Sequence, residues 1–174
     1  IIERNHFLNE GFCVEHKTLI ETDELARHLH DPDWMVIDVR HNLADPEAGR
    51  HAYLHSHIPG AFFLHLDRDL SAEKTGSNGR HPLPSAAQFS QRLRAIGVDQ
   101  GKTIAIYDDA GGMFAARLWW MLRWCGIYSA AVVNGGWQKW LAEQRQVDAS
   151  LPHAVASDFA ASGIERMRVD AAYV

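Results

Sequence analysis

The chain holds 174 residues, 47% of them hydrophobic and 22% charged, with a net charge of -5. That is material for one globular domain with a substantial core, and an acidic balance with arginines scattered among apolar residues leaves no footprint for nucleic acid. No apolar run approaches the roughly 18 residues of a membrane span, no basic segment leads into an apolar one as in a signal peptide, and the isolated Cys13 and Cys125 make neither a disulfide framework nor a zinc site, so a cytoplasmic protein is expected.

Residues 1–18 read as an N-terminal extension. Thr22 is placed to cap a helix whose first turn carries Asp23 and Glu24, matched to the helix dipole, with Leu25 and Leu29 one turn apart and Asp31-Pro32 as its stop. The apolar run 34–39 has strand length and ends beside Asp38 and Arg40. Residues 41–57 are polar and His-rich, a loop or short helix, and Ile58-Pro59-Gly60 turns the chain into a second short strand over 61–64. The Gly-, Ser-, Asn- and Pro-rich stretch 69–84 is a long surface loop of the kind that often carries function. Ser85 and Gln88 form a capping box, Phe89, Leu93 and Ile96 share one face, and Gly97 ends that helix.

Strand 103–107, helix 113–125, strand 130–133 and a helix from Trp137 to about Glu143 then alternate. The predicted fold class is α/β, a central parallel sheet with helices on both faces. Ligands of such sheets bind beyond the carboxyl ends of the strands. There the apolar run 104–107 enters an acidic, Gly-containing loop, Asp108-Asp109-Ala110-Gly111-Gly112, which feeds an apolar helix. A strand–loop–helix unit of this kind directs backbone N–H groups at an anion. The sequence supplies the anion itself, Asp108, in the role of a helix cap, and no nucleophile. From Gln144 onward Ala, Ser, Pro and isolated charges replace the periodicity, which reads as a linker over 148–174. Residues 167–174 turn apolar again, as at the start of a further domain.

Five motifs in order carry a resemblance: Val36-Ile37-Asp38-Val39-Arg40, His57-Ile58-Pro59-Gly60-Ala61, Tyr107-Asp108, Trp119-Trp120-Met121-Leu122-Arg123 and Asn134-Gly135-Gly136-Trp137. Together they resemble rhodanese-type sulfurtransferases, specifically the N-terminal domain of the two-domain thiosulfate/3-mercaptopyruvate enzymes, over residues 19–147. The resemblance implies a rhodanese-like sheet flanked by helices, no cofactor, and a reaction loop after the fourth sheet strand. In the C-terminal domain of such enzymes that loop begins with a cysteine, which accepts sulfane sulfur as a persulfide and passes it to cyanide or a thiol. In N-terminal domains the cysteine is replaced, usually by Asp, and Asp108 stands at the matching position. The partners implied are a second rhodanese domain of the same polypeptide and a small sulfur donor.

The resemblance also implies that Asp67 and His81, the latter in His81-Pro82-Leu83-Pro84, form an auxiliary pair lent to the cleft between the two domains. An Asp orients an imidazole and raises its basicity, which suits proton transfer near neutral pH. Pro82 stands where Met is common, and 75–80 is an enlarged loop. A persulfide needs a polarisable thiolate, which Asp108 cannot provide, and Asp109 would repel thiosulfate. Cys125, at the end of an apolar helix, is a small hydrophobe rather than a nucleophile.

His51, His55 and His57 have metal-like spacing, yet no carboxylate or thiolate completes a set, so no metal site is expected. His57 is instead a structural residue of the turn. Asp38 and Arg40 fix loops at the sheet edge, and Arg117, inside an apolar helix, needs a carboxylate, with Asp108 or Asp38 as candidates. Two functions remain: the inactive half of a two-domain sulfurtransferase, or a stand-alone inactive rhodanese-homology module that binds or regulates. The linker-like tail favours the first.

Overall fold

Alternating residues along each strand build two separate cores on opposite faces of one sheet. The computed structural model describes residues 18–161 and 163–169; Cys13, most of the N-terminal extension and residues 170–174 lie outside them. The elements run β1 (Leu19–Ile20), α1 (Thr22–Arg27), β2 (Trp34–Asp38), α2 (Ala48–His55), β3 (Phe62–Phe63), α3 (Ala86–Ala95), β4 (Thr103–Tyr107), α4 (Met113–Trp124), β5 (Ala130–Val133) and α5 (Gly136–Ala142). The strands pair in parallel in the order β1-β5-β4-β2-β3. Met35, Ile37, Ile104, Ile106, Ala130 and Val132 point into a core closed by Phe89 and Leu93 of α3 and Phe114 and Leu118 of α4. Val36, Ala105, Tyr107, Ala131 and Val133 point the other way, onto Leu25 of α1, Tyr53 of α2 and Trp140 of α5. Both faces are covered, as a parallel sheet requires, and among the described residues no helix is long and apolar enough to cross a membrane.

The capping box forms as its spacing predicts: Ser85 Oγ accepts from Gln88 N, and Gln88 Oε1 accepts from Ser85 N. Thr22 does not cap α1. Glu21 occupies that position without a side-chain cap, and Thr22 Oγ1 donates to Glu143 Oε2 at 2.5 Å, tying α1 to the end of α5. The tail is fastened rather than loose. Asp148 bridges His57 through paired backbone bonds, Ser157 N donates to Arg94 O, and Ser90 Oγ donates to Phe159 O over a buried Phe159. Ile164 N closes on Trp124 O, next to a short 3-10 turn at Glu165–Met167.

The topology also places the cleft. The connection from β2 through α2 runs outward to β3, and that from β4 through α4 runs the other way to β5. Neighbouring strands whose crossovers diverge leave a crevice at their carboxyl ends. Arg40 and His41 follow β2 there, and Asp108 to Gly112 follow β4.

Candidate functional site

The loop after β4 is organised by one carboxylate. Asp108 is 1% exposed; its Oδ1 accepts from Ala110 N at 2.9 Å and Gly112 N at 2.8 Å, and its Oδ2 from Phe114 N at 2.8 Å and Ala115 N at 2.9 Å. Four amides that could cradle an external anion are thus taken by the chain's own side chain. Gly111 and Gly112 make the turn possible with φ of +70° and +90°. From behind, Gly136 packs so closely that a Cβ there would lie 2.4 Å from Asp108 O. Asp109, at the mouth of the cleft, has its carboxyl pushed up by partial desolvation, which the Arg40 guanidinium opposes.

Across the crevice, Asp38 and Arg40 make a buried pair. Arg40 donates from N to Oδ1 at 2.8 Å and from Nε to Oδ2 at 2.9 Å, and its Nη2 reaches Ser56 O at 2.7 Å. Its guanidinium lies 4.3 Å from the Trp137 ring centroid, a favourable cation–π position. Tyr107 donates to Asp38 Oδ2 at 2.7 Å and accepts from Ile58 N at 3.2 Å; burial and the Asp38 charge push its phenol well above the usual value. His57 is fully buried, with Nδ1 2.7 Å from Tyr53 O and Nε2 3.2 Å from Ser150 O. These groups join the turn, β2, β4, α5 and the tail through buried hydrogen bonds and ring contacts.

Arg117 departs from expectation. Asp38 and Asp108 are both committed elsewhere, and Arg117 instead donates to backbone carbonyls, Leu70 O at 2.8 Å and His81 O at 3.1 Å. Carbonyls at the two ends of a loop can satisfy a guanidinium, which has five donors. The consequence is useful, because α4 now clamps both ends of the 70–82 loop and so fixes His81.

The structure brings Asp67 and His81 together, with His81 Nε2 3.5 Å from Asp67 Oδ1. Lys74 Nζ shares that oxygen at 2.9 Å. At the other oxygen lies His41, which sequence reasoning passed over, with Nε2 3.8 Å from Asp67 Oδ2. Its position just past a central strand was the available signal. Burial lowers the pKa of both His41 and His81, with Asp67 opposing in each case. Asp67 is itself held below the usual carboxylate range by Lys74 and the two histidines, against a desolvation cost. Beside this cluster, a cleft of about 550 Å³ is lined by His41, Leu43, Gly49, Asp109, Met113 and Phe114 among others.

The His51–His57 spacing assembles nothing, since His51 and His55 are exposed while His57 is buried. A different trio, His41, His65 and Asp67, places one potential ligand atom of each within 4.8 Å of the others. It suits a metal poorly: His65 Nε2 is bonded to Pro46 O at 3.0 Å, His65 Nδ1 accepts from Asp67 N at 3.1 Å, and the Lys74 ammonium occupies Asp67 Oδ1. Cys125 is buried, and burial pushes its thiol up to about 11, far from a nucleophile's range at neutral pH.

A doubly wound parallel sheet with an amide-lined loop at its switch point, filled by the carboxylate of Asp108, defines the class: an α/β domain whose crevice lies at the carboxyl ends of its strands. The chain belongs to the rhodanese-like domain family, whose model matches residues 21–143. It is 44% identical over 126 residues to a Pseudomonas aeruginosa protein named "Probable 3-mercaptopyruvate sulfurtransferase", covering 71% of this chain and 44% of the relative. It is 30% identical over 140 residues to the thiosulfate sulfurtransferase of Bos taurus, covering 77% and 46%. Among solved structures, SseA from Escherichia coli, described with the 3-mercaptopyruvate sulfotransferases, superposes with a TM-score of 0.81 at 28% identity, covering 90% of this chain and 60% of that one. The chain spans under half the length of these curated relatives.

Proposed function

We propose that this chain is the non-catalytic N-terminal rhodanese domain of a two-domain cytoplasmic sulfurtransferase. The whole polypeptide moves sulfane sulfur from thiosulfate or 3-mercaptopyruvate to cyanide or a thiol acceptor, and this domain transfers none by itself. The observation that carries the reading is the saturation of the loop amides by Asp108. A carboxylate cannot accept sulfane sulfur, and it occupies the position where a thiolate would be stabilised. The relatives' names supply the substrate class, and their length leaves room for a second domain carrying the cysteine.

Within that enzyme the domain walls one side of the active cleft and contributes Asp67 and His81. When a thiolate of the second domain takes the sulfur of 3-mercaptopyruvate, the C–S electron pair leaves with pyruvate as an enolate, which needs a proton. Thiosulfate leaves as sulfite and needs none. His81, oriented by Asp67 and fixed by Arg117, is the proton carrier.

The test is a cyanide assay of this chain with each donor. No thiocyanate above the blank is expected; production that disappears in Cys125→Ser would overturn the reading. The intact mass of the natural polypeptide separates this proposal from a stand-alone module, with roughly 30 kDa or more expected for two domains.

A further inference from the structure

The two oxygens of Asp67 face two different histidines. His81 Nε2 and Lys74 Nζ share Oδ1 at 3.5 and 2.9 Å, while His41 Nε2 lies 3.8 Å from Oδ2. The His41 side chain is 2% exposed. Its ring is boxed edge-on by Phe114, His65 and His81, at centroid distances of 5.2, 5.5 and 6.3 Å. An apolar side chain would fill that box at lower cost, since burying a polar ring costs free energy unless its nitrogens are used. The backbone beneath is held by close approach of α2, where a Cβ on Gly49 would lie 1.9 Å from Arg40 O and 3.0 Å from His41 Cα. His65 cannot substitute for His41, because both its ring nitrogens are engaged, by Pro46 O and Asp67 N.

We propose that His41 is a positioning residue for the Asp67–His81 pair: facing Oδ2 from the cleft side, it keeps Oδ1 turned toward His81 Nε2. This rests on the reading of Asp67 and His81 as the acid–base pair. At 3.8 Å the contact is electrostatic, longer than a hydrogen bond, and such contacts tighten when substrate closes a site. The charged and titratable groups around His81 are Asp67, Lys74, Arg117, Arg80 and His41; those around His41 are Asp67, His65, His81 and Arg80. Asp67 is the anion that acts on both imidazoles. The orientation of a single carboxylate therefore governs how firmly His81 keeps a proton. Without His41, Asp67 is free to swing Oδ1 away from His81 and onto Lys74 alone.

The first readout needs no activity. Imidazole ¹⁵N shifts of His81 are followed against pH in this chain, in His41→Phe and His41→Gln, and in both of these combined with Asp67→Asn. Either substitution at His41 removes a neighbouring charge that lowers His81, so the two are compared with each other. His81 should titrate lower in His41→Phe than in His41→Gln, whose Nε2 reaches the place of the imidazole Nε2 without its charge. In the Asp67→Asn background that difference should vanish, since the two residues act through one contact. Equal His81 titrations in His41→Phe and His41→Gln, or a difference that persists in the Asp67→Asn background, would overturn the proposal. Should His41→Phe not fold, His41→Asn empties the Nε2 position with a smaller polar group and takes its place under the same criteria.

In the full-length enzyme, His41→Phe should lower kcat with 3-mercaptopyruvate by about 10-fold at unchanged KM, less than the roughly 10²–10⁴-fold for losing a general acid–base group itself, and lower kcat with thiosulfate less. Equal losses with both donors would count against it. A wild-type enzyme that turns over neither donor would defeat the functional reading alone, because the His81 titration still judges His41.

Discussion

Asp108 organises the loop after β4 by itself, and its role is testable apart from any partner. Two of its four amide donors, Phe114 N and Ala115 N, are buried. Asp108→Ala removes a helix cap and strands buried donors, which should cost about 3 kcal/mol in urea unfolding; a loss under about 1 kcal/mol would mean that the amides find other partners. Asp108→Cys should place a thiol among the same four donors and lower its pKa below the free value of about 8.5, read from alkylation rate against pH in a Cys13→Ser background. A value at or above that would show that the loop is no anion cradle. The cap itself was legible in the sequence, because an acid between an apolar strand and a glycine pair has few other uses. The carbonyl ligation of Arg117 was not: the sequence shows a cation in an apolar helix but not that a loop 47 residues earlier will turn its carbonyls toward it.

At the scale of elements, strict alternation made β4 readable to the residue, and the capping box fixed the start of α3. In sequence α2 reads as well as loop as it does as helix, because its eight residues carry three polar or charged groups among small ones and no clear stripe. What settles α2 is packing that no periodicity reports: Gly49 lies against Arg40 O so tightly that a side chain has no room. Gly49 is helical, so Gly49→Ala would favour the helix by up to about 1 kcal/mol in isolation. In the fold it should instead destabilise by about 1–3 kcal/mol through overpacking against backbone. It should also displace Arg40 and His41 from the cleft wall, visible as shifted amide resonances at both. A neutral or stabilising Gly49→Ala would show that α2 can slide away, and that the position of His41 is less fixed than its surroundings indicate.

For the whole molecule, the alternation of strands and helices made the two-faced sheet legible, but not the strand order that puts β2 beside β4 and creates the cleft, because pairing between distant segments leaves no local mark. The tail reads as a linker by composition, yet Phe159 and Ser157 fasten it to α3 and the turn after it, and Ile164 to the end of α4. Clustering His41, His81 and Asp67 has a global consequence as well. Burial holds both imidazoles below the usual histidine range in the folded chain, so between their folded values and the unfolded value of about 6.5 the unfolded state binds more protons. Stability must then rise with pH across that window and fall as acid is added, the loss levelling off once the folded values are passed. Asp67 does not offset this, since a carboxylate with a lowered pKa keeps its contribution until far more acidic pH. The urea midpoint of this chain should therefore drop between about pH 7 and pH 5. His41→Gln, which removes one of the two ionisable groups, should make that slope shallower. An identical slope in the variant would show that His41 charges as readily in the folded chain as in the unfolded one, and that the cluster is more open to water than its packing implies.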